Sequence, residues 1–132
     1  MTSTSTSTTE TAAKAALVAF WVADFQARRA ELCDMIAPKG CTTIASHSWV
    51  VVMPGDMVLS FTFESAGQGR RRATGSAVCP IEKAPRFTRA DAEALAADCR
   101  NGKGELGTAM HWRDVVKAEV ASLDDTIARL TA

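Results

Sequence analysis

Residues 45–64 read Ala-Ser-His-Ser-Trp-Val-Val-Val-Met-Pro-Gly-Asp-Met-Val-Leu-Ser-Phe-Thr-Phe-Glu, and this stretch decides the fold class. Ala45, His47, Trp49, Val51 and Met53 fall on one face at a period of two. Pro54-Gly55-Asp56 turns the chain, and Met57, Leu59, Phe61 and Phe63 then alternate with Val58, Ser60, Thr62 and Glu64. Two alternating runs joined by a Pro-Gly-Asp turn predict a β-hairpin. Beyond it, the loop Ser65-Ala66-Gly67-Gln68-Gly69 leads to a third predicted strand, Arg70 to Cys79. Its inward face would be Ala73, Gly75, Ala77 and Cys79, residues small enough to let a helix approach closely.

On the amino side of the hairpin the period changes to that of a helix. Leu17, Trp21, Phe25, Leu32 and Ile36 recur at three- and four-residue steps, and Pro38 with Gly40 supplies a stop. Ser7 with Glu10 forms a capping box, so the helix is expected to begin there. Residues 1–9, nearly all Ser and Thr, offer nothing to bury and are expected to form a disordered tail. Val18, Phe20 and Val22 widen the apolar surface beyond one stripe, which requires a second cover, from the sheet or from a partner.

On the carboxyl side, Pro80 and Pro85 bracket an irregular connection. Thr88 and Asp91 cap a short alanine-rich helix that ends at Asn101-Gly102. After a Gly-rich joint from Gly102 to Gly107, Trp112, Val116, Val120, Leu123, Ile127 and Leu130 repeat the stepping of the first helix. The first and last helices are natural packing partners, within one chain or across a homodimer. The expected fold is α+β: a long N-terminal helix, a three-stranded antiparallel sheet and two C-terminal helices packed on one face of the sheet. Residues 10–132 would form a single domain.

Composition agrees with an ordinary globular domain: 132 residues, 47% apolar and 23% charged, enough to close a core without metal or disulfide staples. The most apolar run, Ala15 to Ala23, is far short of the roughly 20 residues of a membrane span, and the amino end has no basic leader. A cytoplasmic protein that does not bind membrane is expected, with Cys33, Cys41, Cys79 and Cys99 as reduced thiols. Fifteen basic side chains balance fifteen acidic ones, so the whole molecule exerts no long-range pull on polyanions.

The chemistry-bearing residues do not assemble a motif. Cys33, Cys41 and His47 match no zinc spacing, and no Cys-x-x-Cys occurs. Cys41 with His47, and Cys99 with His111, lack a third orienting group. Gly67-Gln68-Gly69 and Asn101-Gly102-Lys103-Gly104 lack the phosphate-cradling pattern. The expectation is a non-enzymatic protein with no catalytic, metal or cofactor site. Charge asymmetry supplies the one pointed feature: residues 70–103 hold eight basic side chains against four acidic ones. Arg70, Arg71, Arg72, Lys83, Arg86, Arg89, Arg100 and Lys103 are therefore the candidate partner-binding residues, for an acidic protein surface or for phosphates. Equally, Arg70–Arg72 could protect an edge strand from stray pairing. All five Phe and three Trp read as core, which argues against a base-stacking platform.

The run Ala84-Pro-Arg-Phe-Thr-Arg-Ala-Asp-Ala-Glu-Ala-Leu-Ala-Ala, followed by Asn101-Gly-Lys-Gly, resembles a segment of small phage and prophage proteins of GC-rich proteobacteria. That resemblance implies a mobile-element origin. By analogy it implies a protein that binds a host protein or ribonucleoprotein complex, as anti-CRISPR inhibitors of host defence do. The alternative expectation is a small nucleic-acid-binding protein using the basic segment 70–103.

Overall fold

The computed structural model describes residues 2–36 and 46–132, with side chains from residue 9 onward. Its elements are helix α1 (Thr2–Ile36), strands β1 (Trp49–Met53), β2 (Met57–Gly67) and β3 (Arg70–Val78), a 3-10 turn at Ile81–Lys83, helix α2 (Arg89–Asp98), strand β4 (Thr108–His111) and helix α3 (Trp112–Thr131). The class is α+β as expected, with one strand more. β4 directly follows the Gly102–Gly107 joint and pairs antiparallel with β1, Trp49 opposite His111 and Val52 opposite Thr108. The sheet order is β3-β2-β1-β4.

Alternation in the hairpin divides the core in two. Val50, Val52 and Val58 point to one side, where they meet Leu32 of α1, Ile81, and Trp112, Val115 and Val116 of α3. Val51, Met53 and Leu59 point to the other and meet Ala92 and Ala96 of α2. The helices therefore lie on both faces rather than on one. The reason is sequence-local: both runs of the hairpin carry large apolar residues on both sides, Val50 and Val52 no less than Val51 and Met53, so neither side can be left to water.

β3 also differs from expectation. It is the outer edge and largely exposed. A register shift between Thr62 and Phe63 places Gly75 opposite Thr62 but Ala73 opposite Phe63. Such a bulge switches sides, so Ala73 no longer shares a face with Gly75 and Ala77, and no helix packs on the three together.

α1 begins at Thr2, ahead of the expected cap at Ser7 and Glu10, so residues expected in a disordered tail are helical. Extending an existing helix costs far less than nucleating one, and Ser and Thr lie only a few tenths of a kcal/mol behind better formers. Pro38, Gly40 and Cys41 lie outside the described residues. α3 packs antiparallel along α1 within the chain, tied by Arg28 to Glu119 at 3.1 Å and by Arg29 to Asp124. Arg28 also donates to both oxygens of Glu82, at 2.8 and 3.0 Å. That fork holds the Glu82 carboxyl below its ordinary range and raises the arginine further.

Candidate functional site

The β1–β2 ladder is short, with only Val52–Val58 and Met53–Met57 in register. Beyond it the chain at Phe87 takes the place beside Trp49 on the side away from β4. Trp49 donates to the Phe87 carbonyl at 3.0 Å and accepts from the Phe87 N–H at 2.8 Å. β2 diverges, and with β3 it carries a hairpin past the end of the sheet. Pro85 disfavours helix at Ala84, which is extended and leads the chain into this bridge.

Phe87 then fills the angle between the sheet and the overhanging hairpin. Its ring stands edge-on to Phe61 at 5.9 Å and to Phe63 at 6.1 Å between centroids. Thr88 accepts the N–H of Asp91 at 3.2 Å and starts α2 immediately afterwards, which sets α2 opposite the hairpin. Between them runs an open groove of about 420 Å³ lined by Phe63, Phe87, Ala94 and Leu95, with Arg71 on the hairpin wall and Asp91 and Asp98 on the α2 wall. Its floor is apolar and its two walls carry opposite charge.

The eight sequence-picked cations do not converge. Arg70, Arg71 and Arg72 lie on the overhanging hairpin, where Arg72 is neutralised by Glu64 across the ladder at 2.6 Å. Arg86 and Arg89 sit at the same end of the sheet, Arg86 stacked over Trp112 at 4.2 Å and Arg89 over Trp49 at 4.9 Å, with Arg89 also paired to Glu93. Lys83 ends the 3-10 turn on the α1–α3 side. Arg100 and Lys103 occupy the loop before β4, at the opposite end of β1, where Asn101 accepts the Lys103 N–H. Only Arg71 lines the groove.

Aromatic placement also departs from expectation. Phe63 and Phe87 are half-buried, and Phe20 and Trp21 are 68% and 44% exposed. No sequence motif marks Phe63 and Phe87 as neighbours. The available signal was that the alternation at Phe61–Phe63 outlasts β1, so the second strand had to run on past its partner.

His111 caps α3, its Nδ1 accepting the Arg113 N–H at 3.2 Å, and its ring meets Trp49 edge-on. Cys99 is held by its carbonyl to Gly107, just before β4 and so about 13 Å from His111 along the strand. Burial pushes the Cys79 and Cys99 thiols up, away from nucleophilic thiolates. Among the described residues, Cys33, Cys79 and Cys99 are free, no group of three or more His, Cys, Asp or Glu could hold a metal, and no helix is long and apolar enough to cross a membrane.

In comparison with known proteins, the chain matches no family model, no curated protein and no solved structure.

Proposed function

We propose that this protein is a non-enzymatic binding protein of phage or mobile-element type, cytoplasmic in a bacterial host, whose groove takes a segment of a host protein and thereby inhibits a defence complex in the manner of an anti-CRISPR. One observation carries the choice of a protein partner: the groove sets an apolar floor of Phe63, Phe87 and Leu95 between a basic wall at Arg71 and an acidic wall at Asp91 and Asp98. A polypeptide can present apolar anchors with charges of both signs. A phosphate backbone would meet repulsion from the α2 wall. The mobile-element origin rests on the resemblance of residues 84–104.

The test uses two baits, the wild-type chain and the Phe63→Ala/Arg71→Glu variant, in nuclease-treated lysate of a host carrying an active CRISPR system. The expected result is one stoichiometric host protein held by the wild type and lost by the variant, with interference against a targeted plasmid relieved only by the wild type. Capture unaffected by the variant would remove the groove from the account.

The nucleic-acid reading keeps one supporting observation, the exposed Arg70 and Arg71 at the hairpin tip. It expects affinity for a generic single strand or duplex to fall steeply between low and physiological salt. Its cations are divided between the two ends and two faces of the sheet, so any such contact would engage few phosphates.

A further inference from the structure

α1 is 35 residues long and α3 is 20, about 52 and 30 Å. Running antiparallel from their shared core at Leu32 and Val116, they leave the amino half of α1 beyond the end of α3. Every residue from Thr9 to Leu17 is exposed. Just inside that overhang Leu17, Phe20 and Trp21 are 48%, 68% and 44% exposed, one turn apart on one side of the helix. Together they leave on the order of 300 Å² of apolar side chain in water, the size of the largest apolar patch on a typical monomer, which is often functional.

The identity of the cover follows from the charges beside the patch. Glu10, Lys14, Leu17, Trp21, Asp24 and Arg28 follow one another at alternating four- and three-residue steps, so they form one continuous seam. Read in reverse, the seam meets its own complement: Leu17 falls opposite Trp21, Lys14 opposite Asp24, and Glu10 opposite Arg28. A parallel alignment would instead set Lys14 on Lys14 and Asp24 on Asp24. The centre of this inverted repeat lies at residue 19.

We infer that the seam is a homodimer interface, in which α1 packs antiparallel against α1 of a second copy about a two-fold axis beside residue 19. The contact is isologous, as a closed dimer requires. It buries Leu17, Phe20 and Trp21 of both copies and forms the Lys14–Asp24 pair twice. Arg28 is already shared between Glu82 and Glu119, so the outer Glu10–Arg28 contact contributes less. The two sheets stand at opposite ends of the helix pair, which leaves both grooves open.

The test is sedimentation or light scattering of the purified full chain across a concentration series. The expected mass is twice the 14.0 kDa of one chain, and a monomer at tens of micromolar would overturn the inference. Lys14→Glu alone and Asp24→Lys alone each place like charges together twice, and each is expected to weaken the dimer about tenfold. The double variant Lys14→Glu/Asp24→Lys restores opposite charges and is expected to return to wild-type association. Both substituted positions are exposed, so circular dichroism and the melting temperature should not move at monomeric concentration. A dimer indifferent to both single changes, or one not rescued by the double, would overturn the antiparallel seam.

Discussion

The two faces of the sheet are covered very unequally. On one, α3 and the inner half of α1 close over Val50, Val52 and Val58, and Leu32, Trp112 and Ile81 are 0–2% exposed. On the other, a ten-residue helix whose buried residues are alanines, Ala92 and Ala96, covers Val51, Met53 and Leu59, and Phe61, Phe63 and Phe87 stay partly open. Both sides of the strands are equally apolar, so the difference lies in the helices. A short alanine-faced helix seals only the strands it touches, and the hairpin that runs past it becomes a wall of a groove. The closed face supplies stability, and the open face leaves a groove exposed.

The strongest way to break this contrast is Trp112→Ala. Its ring is 2% exposed, joins α3 to the sheet, and lies under the guanidinium groups of Arg86 and Arg113. Removing it should cost about 3–5 kcal/mol, read as the loss of denaturation midpoint in urea. If the cost were no larger than that of a half-exposed aromatic, the α1–α3 side would not be the main core.

Gly107→Ala probes the thinner side. An added Cβ would lie 3.1 Å from the Met53 sulfur, 3.3 Å from the Ala96 carbonyl oxygen and 3.4 Å from a Val51 methyl. The sulfur can swing away, but the backbone of α2 cannot without lifting the helix. The expected cost is about 1–3 kcal/mol in the same measurement. A neutral result would mean that α2 is loosely seated, and the groove it borders correspondingly adjustable.

Phe63→Ala should separate recognition from stability. The ring is half-buried on the overhang, where it touches Phe61 and Phe87 but no residue of the closed core, so the expected loss is about 1 kcal/mol or less. Partner capture should nonetheless fall to background. A loss of stability approaching that of Trp112→Ala would make the open aromatics structural.

The hairpin, the caps of α2 and the core stripe of α3 were legible because each is written in neighbouring residues: alternation around Pro54-Gly55-Asp56, Thr88 before Asp91, and the steps from Trp112 to Leu130. β4 was not, because Thr108–His111 is four residues long and becomes a strand only through its pairing with β1. The division of the helices between two faces was implicit in Val50-Val51-Val52, three consecutive buried residues that no one-sided sheet would need. The groove was least legible. Residue spacing collected the cations by their closeness in sequence, whereas the fold sends Lys83, Arg100 and Lys103 away from Arg71 and brings Phe87 to Phe63 through a single backbone bridge at Trp49.

The smallest effect expected is in the pH response of the closed face. Arg28 hydrogen-bonds Glu82 and so depresses its carboxyl, and the pair ties α1 to the 3-10 turn. A carboxyl lowered on folding adds stability above its unfolded value, near 4.3, and that increment disappears as pH falls through the folded value. Glu82 is 39% exposed and Arg28 24%, so solvent screening holds the contribution to about 0.5 kcal/mol. Glu82→Gln should therefore melt slightly below the wild type at pH 7, and the two curves should converge as pH falls below about 4. The open face, with no such fork among its described residues, has no matching term. A Glu82→Gln difference that persisted undiminished at pH 3 would mean that packing of the side chain, not its charge, holds the turn against α1.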